Sequence, residues 1–229
     1  MNITYRFRLD SGKEKRFEVN LDPATLALIP GGQTPPPAWA RLGNRQCPQC
    51  PYKEQEHPYC PVARNLAGII EEFRKDISFD EADISVTTEN REFRKRAPLQ
   101  NGISGLMGLV MATSGCPVLD KLRPMAYLHM PFPGAHETMY RAISMYLTAQ
   151  YFVRRRGGKP DWDLADLVKI YEAVGGVNAA FADRLRTMEV EDATLNAIVS
   201  LDCFASMTSG SISYAALDDM ERVFAAYLK

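Results

Sequence analysis

Residues 3–9, Ile3-Thr4-Tyr5-Arg6-Phe7-Arg8-Leu9, lead through a Ser11-Gly12 turn into Phe17, Val19 and Leu21, and their reading decides the fold. Ile3, Tyr5, Phe7 and Leu9 alternate with Thr4, Arg6 and Arg8, so the apolar side chains of an extended chain fall on one face. The same period of two resumes beyond the turn. Two alternating runs around a Gly turn predict a β-hairpin with one buried face.

Working outward, residues 29–46 read as a loop, because Pro30-Gly31-Gly32 and Pro35-Pro36-Pro37 exclude regular structure. Trp39 is expected to pin that loop to the body. A helix is predicted from Pro61 to Lys75, with Val62, Leu66, Ile69, Ile70 and Phe73 on its apolar stripe. Residues 82–97 predict a second hairpin: Ile84 and Val86, a turn at Glu89-Asn90, then Phe93. From Leu99 onward the period is helical, with helices expected at 99–113, 117–128, 134–155, 162–174, 177–188, 191–207 and 213–228. The breaks fall at Gly115, Pro131-Pro133, Gly157-Gly158, Gly175-Gly176 and Ser209-Gly210. The fold class is α+β: a small antiparallel β-sheet of two hairpins with a Cys-rich loop, packed on a mainly α-helical C-terminal body. Region 1–98 and region 99–229 are expected to form one compact unit. No internal repeat is visible.

The 229 residues suffice for one large domain or two small packed ones, and 46% hydrophobic content supports a sizeable core. Net charge is −1 and the pI is about 6.3, which argues against a dedicated nucleic-acid binder. The stretch Ile103 to Thr113 is the most apolar and falls far short of the ~20 residues that span a bilayer. The N-terminus lacks the apolar core of a secretory signal. A cytoplasmic location is therefore expected, without membrane contact, and there clustered cysteines read as metal or redox sites before disulfides.

Cys47, Cys50, Cys60 and Cys116 are each followed by proline; Cys203 is not. With 15 prolines in the chain, chance would give four such pairs on the order of once in ten thousand sequences of this composition. Cys47-Pro48-Gln49-Cys50 has the two-residue gap that lets both sulfurs reach one ion. In Cys60-Pro61 and Cys116-Pro117, proline suits the first helical position, so each cysteine is expected at a helix N-cap. There the helix dipole favours a thiolate, the form that ligates metal. Cys47, Cys50, Cys60 and Cys116 are thus the leading ligand set; Cys47, Cys50, His57 and Cys60 are the alternative. Zinc is favoured over an iron–sulfur cluster because it tolerates a wide second gap. A Cys47–Cys50 redox pair comes third. The competing bland reading is four small buried hydrophobes before helix starts. Cys203, among Ile198, Val199, Leu201 and Phe204, is expected to pack in the core.

Asp120, Arg123, His129, Glu137, Tyr140 and Arg141 cluster around the bend at 131–133. Glu137 and Arg141 lie one helical turn apart and are able to pair. Such a group could bind an anion or perform acid–base chemistry, although a structural ion-pair network is the commoner outcome. Gly102, Gly105 and Gly108 lie inside an apolar helix and lack the strand–loop–helix context of a phosphate loop, so close packing is expected of them. The basic runs Arg91–Arg96 and Arg154–Arg156 read as solvated surface.

Gln46-Cys47-Pro48, His57-Pro58-Tyr59-Cys60-Pro61-Val62-Ala63, Met111-Ala112-Thr113-Ser114-Gly115-Cys116-Pro117, Leu122-Arg123-Pro124-Met125 and Pro160-Asp161-Trp162 resemble an uncharacterised bacterial protein family, nearly end to end. That resemblance implies a bacterial origin and carries no activity. From the residues, a structural or regulatory zinc site clipping the N-terminal region to the helical body is the leading expectation. An iron–sulfur redox protein and an enzyme built on His129, Glu137 and Arg123 are the alternatives. Whether the chain is an enzyme, and whether it works with a protein partner or a second copy of itself, are left open by the sequence.

Overall fold

The computed structural model describes residues 1–31, 35–188, 190–211 and 215–228. Strands β1 (Asn2–Leu9) and β2 (Glu14–Asn20) form the first hairpin; β3 (Glu81–Thr87) and β4 (Glu92–Pro98) form the second. They join in one four-stranded antiparallel sheet of order β2-β1-β3-β4. Tyr5 sits opposite Phe17 on one side and Val86 on the other, and Phe7 opposite Ile84, so the alternation read from the sequence stacks one apolar face across the sheet. Ile3, Tyr5 and Phe7 are fully buried. The outer face and the edge strand β4 carry charge: Arg96 bonds Asp10 at 2.9 Å and Arg94 bonds Glu92 at 2.9 Å, as expected for a solvated basic run.

Lys15 also points inward from β2. Its ammonium is shielded from solvent, donates to the Glu72 carbonyl and to Asp76, and lies 4.6 Å from the centre of the Phe73 ring.

Helix α1 (Pro61–Glu72) and helix α2 (Leu99–Thr113) cover the apolar face. Helix α2 buries residues all round, because the sheet lies on one side and the helical body on the other. Its glycines permit this closeness. A Cβ on Gly102 would come within 2.6 Å of Phe7 and 2.8 Å of Ile84; one on Gly105 would meet the Pro131 carbonyl at 2.6 Å. The body continues with α3 (Ala135–Arg155), α4 (Ala165–Arg186), α5 (Asp192–Ser211) and α6 (Ala215–Glu221). Helix α5 packs on both α4 and α2.

Cys116 is not at a helix N-cap as expected, because the following helix is capped by Val118 and starts at Leu119. Three further expectations need correction. Residues 119–128 form a 3-10 helix rather than an α-helix, since Pro124 lies inside it and cannot supply an amide. The helices expected at 162–174 and 177–188 are one continuous α4; Gly175-Gly176 lies inside it, where a Cβ on Gly176 would overlap the side chain of Gln49. The pair marks a close approach, not an end. The last helix is shorter than 213–228 and passes into a 3-10 turn at Arg222–Phe224, while residues 213 and 214 lie outside the described residues. No helix among the described residues is long and apolar enough to cross a membrane.

Candidate functional site

Three separate chain segments bring their cysteines to one place. The first is the knuckle Cys47-Pro48-Gln49-Cys50, turned by a hydrogen bond from the Cys50 amide to the Cys47 carbonyl at 3.0 Å. Residues 41–60 contain no helix or strand element; the segment is tied at its base, where the Leu42 amide bonds the Pro58 carbonyl and the Cys60 amide the Ala40 carbonyl. The second is Cys60, the N-cap of α1, with Pro61 at the first helical position as the sequence predicts. The third follows α2. Gly115, at φ +83°, adopts the left-handed conformation that turns the chain past the helix end and presents Cys116. The backbone amides of Leu119 and Val118 act to lower the Cys116 pKa, against the stronger effect of burial.

All four sulfur-bearing residues line one small cavity of about 20 Å³, closed on the far side by Val177, Phe181 and Arg184 of α4. That volume admits a single water-sized species. Among the described residues, no group of three or more His, Cys, Asp or Glu is arranged as a metal shell. The cysteines are all free. Burial, and then the neighbouring Cys60, Cys116 and Cys50, push the Cys47 thiol up to about 11, and burial raises Cys116 as well. His57 stays outside the cavity lining. It is exposed and stacks on the ring of Tyr52 at 3.8 Å, and Tyr52, whose hydroxyl donates to the Gly115 carbonyl, roofs the cavity.

The six polar residues expected around 131–133 disperse. Asp120 and Arg123 pair with each other at 3.1 Å. Glu137 accepts from the Gly134 amide at 2.6 Å and caps α3, so its carboxylate is used at the helix start and not by Arg141. Tyr140 is exposed and stacks on Phe224. His129 and Arg141 alone of the six line a second, larger cavity of about 630 Å³ between α2, α4, α5 and the 3-10 segment.

The family model "Domain of unknown function (DUF6901)" matches residues 3–225. The chain belongs to the DUF6901 family. No curated protein and no solved structure matches it.

Two features of this DUF6901 chain escaped the sequence reading. Arg184 is only 2% exposed, and its guanidinium donates to the carbonyls of Trp39 (2.9 Å), Arg41 (2.7 Å) and Leu42 (3.4 Å). Burial lowers its pKa, and Cys60, Cys47 and Cys50 push it back up. It is a buried cation facing thiols. An Arg in the last turn of a helix looks like ordinary dipole complementation, which is why its position carried no signal. Cys203 is the other. It is exposed and lines the large cavity, so its expected core role is wrong: α5 turns that face toward the cavity opening.

Proposed function

We propose that the DUF6901 domain holds one zinc ion between Cys47, Cys50, Cys60 and Cys116, and that the ion clips the knuckle to the starts of α1 and the 3-10 segment. The observation that supports this is the convergence of four cysteines, from segments as far apart as residues 47 and 116, on one cavity with a buried guanidinium beside it. Four thiolates around a divalent ion carry an excess of two negative charges. Arg184 and the N-terminal end of α1 offset that excess. The small volume favours a single ion over an iron–sulfur cluster.

The role is structural. Zinc bound only when the loop is folded contributes its binding free energy to folding. Elemental analysis of the purified chain should give one zinc per molecule, colourless, and Cys50→Ser should lose it while Cys203→Ser retains it. Brown protein with broad visible absorbance would replace zinc by an iron–sulfur cluster. Fully folded protein with no metal would end both readings.

A further inference from the structure

The larger cavity is distinct from the cysteine site, and its lining is uneven in charge. Its walls are mostly apolar, from α2, α5 and the 3-10 segment, and its volume of about 630 Å³ is that of a small-molecule site. Arg141 and Lys95 are the charged side chains of the lining, with no carboxylate among the described lining residues. Arg141, half-buried on α3, donates from Nη2 to the Met125 carbonyl at 3.1 Å, and its remaining guanidinium donors have no carboxylate partner among the described ion pairs. The Tyr171 hydroxyl reaches the sulfur of the same Met125 at 3.8 Å, so these two polar groups meet at one end of the cavity. Two turns along α4, Asn178 is 2% exposed and its Nδ2 amide has no hydrogen-bond partner. That amide is a polar group on the α4 wall of the cavity, away from the Arg141 end.

We infer that this cavity binds a small apolar carboxylate, its head on Arg141 and Tyr171 and its body along the walls of α2 and α5. A guanidinium recognises a carboxylate by paired N–H donors, and an unpaired buried cation is costly until an anion meets it. A cationic or zwitterionic ligand would meet Arg141 and Lys95 unfavourably. A neutral apolar ligand would leave Arg141 with the Glu137 charge nearby but no anion on its free N–H donors. The single-headed anion satisfies both the charge and the walls.

The test is calorimetric titration of the full chain with dodecanoate, dodecanol and dodecylamine, each below its micellar concentration. Dodecanoate should bind one per chain, with the alcohol weaker by roughly tenfold or more and the amine weakest. Arg141→Met should erase the preference for the acid over the alcohol. Val199→Trp, at a half-exposed wall position, should weaken acid and alcohol alike by filling the space. Should Arg141→Met fail to fold, the head-group comparison in the wild-type chain still decides the matter. Equal binding of acid and alcohol, no binding of either, or binding untouched by Val199→Trp would each overturn the proposal. Retained or lost zinc does not bear on it.

Discussion

The Tyr5 hydroxyl and His129 Nε2 share a hydrogen bond of 2.5 Å, joining the first strand to the bend before α3 over 124 positions of sequence. Burial holds Tyr5 well above its ordinary pKa and pushes His129 down to about 3, with the Arg141 charge lowering it further. The histidine is therefore neutral when folded and takes up a proton only on unfolding, where its pKa is near 6.5. The unfolded chain binds the extra proton between these values. Stability should thus be fully present above pH 6.5 and fall as pH drops toward 3, by about 1.4 kcal/mol per unit at most. Asp161 and Asp192, whose carboxyls are held low by hydrogen bonds to backbone amides, keep their contributions above the ordinary carboxylate range and lose them as pH falls through it toward their lower folded values. Urea midpoints measured from pH 6.5 to 4.5 should show the slope in wild type and a much flatter line in His129→Gln. Parallel lines would rule out His129 as the source.

Arg184 donates to three loop carbonyls, of which the Trp39 carbonyl also accepts from Asn44 Nδ2 at 3.0 Å. Arg184→Met should lower stability by about 2–4 kcal/mol, because the buried carbonyls lose their donors. Lysine should not rescue it, since a point charge cannot span the three acceptors. The same variants should bind zinc more weakly in a chelator competition, as the charge beside the thiolates is removed. Unchanged affinity in Arg184→Met would leave the residue a purely structural tie.

The glycines of α1 and α2 separate propensity from packing. Gly68 is exposed in the middle of α1 and a Cβ there would meet nothing within 4 Å. Gly68→Ala should stabilise by about 0.5–1 kcal/mol. Gly102→Ala should destabilise by about 1–3 kcal/mol, because Phe7 and Ile84 must move. Thermal unfolding of the two variants should move in opposite directions.

Lys15 and Asp76 form a pair shielded from water on the Lys15 side. Without Asp76 the buried ammonium keeps only the more distant Glu72 carboxylate at 3.9 Å and the Glu72 carbonyl, so Asp76→Ala should cost about 1–3 kcal/mol. Lys15→Met replaces the cation by an apolar chain of similar length and should cost far less. If the two variants unfold at the same denaturant concentration, the pair does not govern the site.

Local chemistry in the sequence determined the elements. The alternation of Ile3, Tyr5 and Phe7 specified a one-sided hairpin, Pro61 after Cys60 specified a helix start, and the apolar run around Ile103 specified α2 with bounds at Leu99 and Thr113. Each of these depends on neighbours within a few residues, which is why periodicity and capping reveal it. Only the tertiary structure decided that Gly175-Gly176 lies within one helix, where it receives Gln49 of the knuckle, and that Arg184 faces the cysteines. It also decided that Glu137 caps its own helix while His129 turns to Tyr5. These partners are distant in sequence or compete with local ones, and burial and close approach are properties of the packed chain, which no spacing of letters encodes.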